Sequence, residues 1–145
     1  MTTDLNSFKS DQSEHGLHAT PVLDSANSLL LHADGFGAVF ESTLSNSGPA
    51  TRSCIGNLPG RAKYLAIDTQ TTTSIAASDE GSILVVNSKG ESRSLHHGGP
   101  MQGLLNLGDG RFVTGGTDGR IKCWSLNPPA PLAVNLPIAP SNKKA

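Results

Sequence analysis

The chain has 145 residues, of which 36% are hydrophobic, 4% aromatic and 16% charged, and its formal net charge is -1. That length suits one domain and hardly allows two, and the composition is lean in aromatics without being that of a wholly disordered chain. The only basic cluster is Lys143-Lys144. A nucleic-acid or anionic-membrane partner is therefore not expected, because phosphate binding needs clustered Lys and Arg.

Cysteine usage and hydropathy indicate the compartment. The two cysteines, Cys54 and Cys123, cannot build a disulfide-dense scaffold, and nothing places them in metal-ligand spacing. No apolar stretch has the length of a signal-peptide core or of the roughly 20 residues that span a bilayer. We therefore expect a soluble protein that is cytoplasmic or nuclear, that is not secreted and that has no membrane partner.

The first predicted region in chain order, residues 1–17, is polar and aperiodic and is expected to be a flexible arm. Short apolar runs separated by turn residues follow, without helical periodicity, over residues 18–127. The candidate strands are Pro21–Leu23, Ser28–His32, Ala38–Glu41, Lys63–Ile67, Thr73–Ala77, Ile83–Asn87, Gln102–Leu107, Arg111–Gly115 and Ile121–Leu126. Many short strands at regular spacing predict an all-β fold, and propensity alone leaves a sandwich, a barrel and a propeller open.

The last predicted region, residues 128–145, is rich in proline, which excludes a helix and any central strand. We expect either an extended polyproline-like tail or an edge segment lying across the domain. The alternation of Leu132, Val134, Leu136 and Ile138 with other residues keeps the edge-strand alternative open.

An internal repeat runs through the predicted strands. The segments Ser28–Glu41, Ser74–Asn87 and Phe112–Ser125 align without a gap. Each has an acidic residue, a turn glycine and, five positions later, a large apolar side chain: Asp34, Gly35 and Phe40; Glu80, Gly81 and Val86; Asp118, Gly119 and Trp124. The glycines are 46 and 38 residues apart, near the roughly 40 to 45 residues of a four-stranded propeller blade. Glycine after an acidic residue allows the positive φ of a tight hairpin turn.

The third copy resembles a known family. Its residues 104–125, Leu-Leu-Asn-Leu-Gly-Asp-Gly-Arg-Phe-Val-Thr-Gly-Gly-Thr-Asp-Gly-Arg-Ile-Lys-Cys-Trp-Ser, look like the last three strands of a repeat of the WD-repeat family. Trp124-Ser125 stands where that family has Trp-Asp, and His96-His97-Gly98 lies where it has Gly-His, in a different order. In the family this His joins a buried hydrogen-bond network with a turn Asp and a hydroxyl. The resemblance implies Asp109 as the turn Asp and His97 as the His.

The same resemblance implies divergent β-propeller blades, about three in number: residues 18–45, 60–92 and 96–127. Propellers usually have four to eight blades, so we expect an incomplete or partner-completed propeller. Such an arc exposes apolar blade faces and unpaired strand edges, which favour association. The expected partners are other proteins, and self-association is possible.

Residue patterns for catalysis or cofactor binding are absent from the sequence. His15 and His18 have no further ligand nearby, and no nucleophile elbow, phosphate loop or dinucleotide fingerprint is present. Cys123 beside Trp124 is the pattern of a small packed residue rather than of a nucleophile. We therefore predict no enzyme activity, no cofactor and no metal.

Two functions are predicted from the fold-level analogy. The first is a non-catalytic protein–protein interaction scaffold, a subunit of a larger assembly. The second is a peptide or small-ligand reader that uses the loops of one propeller face, with His96, His97 and Arg120 as the candidate binding residues. An enzyme on a propeller-like frame is a third alternative, which no residue pattern supports.

Overall fold

A computed structural model describes residues 19–44 and 51–132, and all regular structure in those two ranges is β-strand. The 12 strands there are, in chain order, β1 (Val22–Asp24), β2 (Leu29–Ala33), β3 (Ala38–Thr43), β4 (Thr51–Asn57), β5 (Ala62–Asp68), β6 (Thr73–Ser78), β7 (Ser82–Val86), β8 (Ser92–His96), β9 (Met101–Asn106), β10 (Arg111–Gly116), β11 (Ile121–Leu126) and β12 (Pro129–Leu132). No helix of membrane-crossing length and hydropathy occurs in these ranges. The prediction of an all-β chain is confirmed.

The strands form three four-stranded antiparallel sheets, each made of consecutive strands. Sheet 1 contains β1–β4, sheet 2 contains β5–β8 and sheet 3 contains β9–β12, and in each the spatial order follows the chain order. The first strands lie together, because β5 contacts both β1 and β9. A single hairpin is only marginally stable in water, so each unit depends on its further strands and on packing against a neighbour. This architecture is consistent with blade-like units.

Sheet 2 lies between the other two sheets and is buried on both faces. All six residues of β6 are buried, and its apolar residues alternate between two cores. Ala76 packs with Leu31 and Val39 in the core between sheets 1 and 2. Ile75, in contrast, packs with Phe112 in the core between sheets 2 and 3. The near-continuous run of small and apolar residues in β6 follows from this double burial.

The outermost strand of every sheet is largely exposed. The sequence patterns did not predict β4 or β8, and for β12 they left an edge segment as one of two alternatives. Strands β4, β8 and β12 read Thr-Arg-Ser-Cys-Ile-Gly-Asn, Ser-Arg-Ser-Leu-His and Pro-Ala-Pro-Leu. An edge strand buries little side-chain area, so apolar alternation is not required of it. The sheets span residues 22–57, 62–96 and 101–132. Each expected unit therefore ends before the last strand of its sheet is complete.

The proline-rich region begins with an edge strand. Strand β12 pairs with β11, and this places Pro129 opposite Leu126 and Pro131 opposite Trp124. Proline has no N–H to donate, and it is tolerated where a strand has a neighbour on one side only. The edge-segment alternative therefore applies to Pro129–Leu132. The predicted arm at residues 1–17 and the rest of the tail, residues 133–145, lie outside the described residues.

The hairpins between the second and third strands have the same length in all three sheets. The last paired residues before each turn are Ala33 with Val39, Ala77 with Ile83 and Gly115 with Ile121. A glycine with positive φ follows at the same place in each turn: Gly37 at 98°, Gly81 at 109° and Gly119 at 86°. This common register defines which residues of the three sheets are equivalent.

The register corrects the alignment of the first repeat copy. Gly37, and not Gly35, is equivalent to Gly81 and Gly119, so the gapless alignment of this copy is two residues out of register. The position of Val86 and Trp124 accordingly belongs to Ser42 and not to Phe40. Both glycines of the Gly-Phe-Gly turn fit the sequence pattern, and only the cross-strand pairing of β2 with β3 distinguishes them.

Candidate functional site

Three loops meet at one end of sheets 2 and 3: the β6–β7 turn, the β8–β9 connection and the β10–β11 turn. The backbone N–H of His97 donates to the Gly81 carbonyl oxygen at 2.8 Å, and that of Met101 donates to Asp79 at 2.8 Å. Thr117 donates in turn to Pro100 at 3.1 Å. A side chain at Gly81 would collide with the Gly99 carbonyl oxygen, so the predicted turn glycine is also required by this close approach.

A buried hydrogen-bond network lies directly beneath these loops. His97, Thr114 and Trp124 are 2%, 0% and 3% exposed. The Trp124 Nε1–H donates to Thr114 Oγ1 at 2.9 Å, and the same hydroxyl shares a 2.7 Å hydrogen bond with His97 Nδ1. The Trp124 ring also stacks on Phe112, with ring centroids 5.9 Å apart. The network therefore links the β8–β9 connection to β10 and β11, because one hydroxyl serves both ring nitrogens.

The other nitrogen of His97 faces the β10–β11 turn. His97 Nε2 is buried and has no hydrogen-bond partner among the described residues. A Cβ atom placed on Gly116 would lie 2.7 Å from His97 Nε2 and 2.8 Å from Asp118 Oδ1. Gly116 therefore sits between the imidazole and the carboxylate, and any side chain at this position would push them apart.

Asp118, and not Asp109, is the acidic residue beside His97. Asp109 lies in the exposed β9–β10 turn, where its carboxylate accepts hydrogen bonds from the Arg111 guanidinium, the shortest at 2.7 Å. This contact lowers the pKa of Asp109 and raises that of Arg111. The role that the resemblance implies for Asp109 therefore does not fit, since a two-residue ion pair in its own turn occupies the carboxylate.

Electrostatics favour the neutral form of His97. Burial lowers its pKa, the Lys122 ammonium lowers it further, and the Asp118 carboxylate acts in the opposite direction. His96 and Arg120 add smaller contributions that also lower the pKa. A neutral imidazole has one N–H and one acceptor nitrogen, so it suits a shared hydrogen bond with a hydroxyl.

The predicted binding residues all lie at this end of the molecule. His96 is exposed, and its Nδ1 accepts a hydrogen bond from the Gly98 N–H at 2.8 Å. Arg120 is exposed as well, and its Nε lies 3.3 Å from Asp118 Oδ2. His97 is buried and serves the network. Only His96 and Arg120 of the three therefore present their side chains to solvent.

The positions equivalent to Thr114 and Trp124 hold different residues in the other two sheets. Sheet 1 has His32 and Ser42, joined by a 2.8 Å hydrogen bond between Nε2 and Oγ, and sheet 2 has the apolar pair Ala76 and Val86. Phe40, assigned to this position by the sequence alignment, stacks on the His32 ring instead and carries the Arg52 guanidinium 4.6 Å above it.

The predicted acidic turn residues have separate roles. Asp34 accepts the backbone N–H groups of Phe36 and Ala38, at 2.8 and 3.0 Å, and so closes the β2–β3 turn. Glu80 is exposed in the β6–β7 turn. Neither side chain contacts the His97 network among the hydrogen bonds of the described residues.

Sheet 3 has an exposed apolar face, and the sequence analysis expected such faces without naming the residues that form them. Leu105, Val113, Cys123 and Leu132 pair in one row across the four strands, and Ile121 flanks this row. We call these five residues the outer face of sheet 3. Leu105 is 61% exposed, Ile121 51% and Leu132 39%. The third repeat copy has apolar residues at alternate positions, which indicates an apolar strand face. The sequence does not say whether another sheet covers that face.

Neither a group of metal ligands nor a comparison with known proteins assigns a function to this end of the molecule. No group of three or more His, Cys, Asp or Glu residues within residues 19–44 and 51–132 is placed to hold a metal ion. No family model matches the chain, and no curated protein matches it either.

Proposed function

We infer that this chain is a non-catalytic protein-interaction module, a divergent relative of WD-repeat proteins that works as a subunit of a larger assembly. The observation that carries the proposal is the outer face of sheet 3, where three large apolar side chains are between 39% and 61% exposed on one surface. Contiguous exposed apolar surface on a folded domain marks a contact site for another molecule. A protein is the partner that suits an apolar surface, and the sequence has no cluster of Lys and Arg longer than Lys143-Lys144 to favour a nucleic acid instead.

The repeat register supports the family part of the proposal. Three four-stranded antiparallel sheets follow one another in the chain, with their first strands adjacent. In sheet 3 the His97 imidazole shares a buried hydrogen bond with the Thr114 hydroxyl, and a contact between this His and a hydroxyl is part of what the WD-repeat resemblance implies. An arc of three such units falls short of the four to eight blades of a closed propeller, so a partner would complete it. Cytoplasm or nucleus remains the predicted location.

The test compares two substitutions that each place a charge on an exposed apolar residue. Ile121→Glu changes the outer face of sheet 3, and Phe36→Glu changes a side chain that is 88% exposed in the β2–β3 turn. The full chain and both variants are used to capture proteins from native extract, followed by mass measurement of the assembly. We expect Ile121→Glu to lose the captured protein and Phe36→Glu to retain it. Equal capture by all three chains would contradict the proposal.

A second candidate function is recognition of a peptide or small ligand at the loop end of sheets 2 and 3. The observation that favours it is the exposure of His96 and Arg120 on loops that the buried His97 anchors. His96→Ala and Arg120→Ala are expected to weaken ligand binding without changing the melting temperature. Arg93→Ala, at an exposed position in β8, is the matched control. Unchanged binding in both loop variants would rule this candidate out.

A further inference from the structure

The outer face of sheet 3 repeats a pattern that sheets 1 and 2 use to pack on the next sheet. Ile121 is equivalent to Val39 of sheet 1 and to Ile83 of sheet 2, and those two residues are each 1% exposed. Val39 lies in the core shared with sheet 2, and Ile83 lies in the core shared with sheet 3. Ile121 has the same residue type at the same place but is 51% exposed. Sheet 3 therefore has the surface of a sheet that packs on a successor.

Sheet 1 carries the complementary surface. Leu23 pairs with Leu30, just as Ile67 pairs with Ser74 in sheet 2, and Phe40 is equivalent to Leu84. Ile67 and Leu84 lie on the face of sheet 2 that receives sheet 1. We call Leu23, Leu30 and Phe40 the outer face of sheet 1. Leu23 is 55% exposed, and Leu30 and Phe40 are half-buried.

The strand edges are less suited to association than these two faces. The free edge of sheet 3 is β12, in which Pro129 and Pro131 have no N–H group to donate to an added strand. The free edge of sheet 2 is the polar strand β8, and that of sheet 1 is the polar strand β4. Charged and proline-containing edges discourage strand addition.

We propose that two copies of this chain pack head to tail, the outer face of sheet 3 of each copy on the outer face of sheet 1 of the other. The inference deepens the proposed function and rests on the contact face that this function assigns to sheet 3, because it names a second copy as the partner of that face. Each contact continues the arrangement by which sheet 1 packs on sheet 2 and sheet 2 on sheet 3. Two copies supply six sheets, within the four to eight blades that close a propeller, whereas one copy supplies three and three copies supply nine. A head-to-tail contact that closes makes a ring, and here the ring is a dimer.

Sedimentation equilibrium of the full chain tests the mass. We expect a single species of twice the chain mass of 15.0 kDa. A monomer, or a series of ever larger species, would overturn the proposal. A monomer would mean that the two faces do not associate. A series of larger species would mean that the head-to-tail contact forms an open fibre and not a closed ring.

Complementation tests the geometry. Ile121→Glu blocks the sheet 3 face and Leu23→Glu blocks the sheet 1 face, and both residues are more than half exposed, so both variants are expected to fold. Each variant alone is expected to be a monomer, and an equimolar mixture is expected to regain the mass of a dimer through the one intact contact. If Leu23→Glu alone stays dimeric, or if mixing restores nothing, the head-to-tail arrangement is wrong.

Further variants separate misfolding and the proposed function from the inference. Leu105→Glu, at a residue that is 61% exposed on the same sheet 3 face, replaces Ile121→Glu if that variant fails to fold. Phe36→Glu is expected to remain a dimer. If the wild-type chain is a monomer but still captures a different protein, and Ile121→Glu abolishes that capture, the dimer inference is wrong and the scaffold function stands. A dimer that captures no other protein removes the scaffold function and leaves the inference in place.

Discussion

Sheets 2 and 3 have the same backbone register but differ in what covers their faces. Ile83 and Ile121 occupy equivalent positions, and they are 1% and 51% exposed. The residue type is identical, so the difference arises from the neighbouring sheet and not from the strand itself. Burial in a repeat architecture is a property of the contact between units, because each unit presents the same apolar pattern whether or not a successor is present.

Sheets 2 and 3 also differ in the residues that occupy equivalent buried positions. Sheet 2 has Ala76 and Val86 where sheet 3 has the hydrogen-bonded pair Thr114 and Trp124. At the preceding connection, Leu58 donates its N–H to Gly37 as His97 does to Gly81, both at 2.8 Å. The same backbone geometry therefore surrounds the apolar residues Leu58, Ala76 and Val86 at sheet 2. At sheet 3 it surrounds the hydrogen-bonded residues His97, Thr114 and Trp124. The polar network is not what creates the fold of a unit.

The largest expected effect distinguishes the two isoleucines. Ile83→Ala removes buried methyl groups from the core between sheets 2 and 3 and is expected to lower the free energy of unfolding by about 3 kcal/mol. Ile121→Ala, measured at a dilution that would keep the proposed dimer dissociated, is expected to cost less than about 1 kcal/mol. Urea unfolding of both variants checks this. Equal losses at high dilution would mean that another part of the monomer covers the outer face of sheet 3.

The next effect extends the comparison to sheet 1 and depends on pH. Burial, with a smaller contribution from Arg52, lowers the pKa of His32 from 6.5 to about 4. Between these values the unfolded chain binds a proton that the folded chain does not, so stability falls as the pH falls from 6.5 to 4, by about 3 kcal/mol for this group. Above pH 6.5 the contribution is constant. His97, whose pKa is also lowered, acts in the same direction.

Urea unfolding at a series of pH values measures that slope. His32→Gln removes the titrating group and is expected to flatten the profile between pH 6.5 and 4. A His97→Gln variant shows how much of the remaining slope belongs to His97. A profile unchanged by His32→Gln would contradict the burial of an uncharged imidazole at this position.

A smaller effect tests the polar network of sheet 3. Thr114→Val leaves the ring nitrogens of Trp124 and His97 without their shared partner, at an expected cost of about 2 kcal/mol. The double variant Thr114→Val/His97→Leu is expected to cost less than the two single variants together, because it removes both ends of one hydrogen bond. Thr117→Val, in the exposed β10–β11 turn, is the control and should change little. Strict additivity in thermal or urea unfolding would argue against coupling.

The smallest effect identifies the acidic partner of His97. Asp118→Asn removes a carboxylate that raises the pKa of His97, so that pKa is expected to fall further. Asp109→Asn breaks only the exposed pair with Arg111 and is expected to leave the pKa of His97 unchanged. NMR titration of the imidazole resonances measures both. An equal response to the two substitutions would show that Asp118 has no special relation to His97.

Nine of the 12 described strands could be predicted from the sequence, and the other three are the outermost strands β4, β8 and β12, of which only β12 was among the alternatives left open. Inner strands bury side chains on at least one face, so selection for burial leaves an apolar pattern in them. An outer strand such as β8, Ser-Arg-Ser-Leu-His, contributes mainly backbone pairing, which residue type hardly records. The network was only partly predictable. His97 and Trp124 stood out by resemblance, whereas the choice between Asp109 and Asp118 depends on which turn lies beside the imidazole.

The sequence by itself determined the all-β class, the three repeated units and the turn glycines Gly81 and Gly119. Local chemistry is sufficient for these features, because strand patterning and positive φ are properties of a few neighbouring residues. Only the tertiary structure decided the register of the first unit at Gly37, the partner of His97 and the exposure of Ile121. Each of these depends on which strand or sheet lies next in space, and residues far apart in the chain decide that.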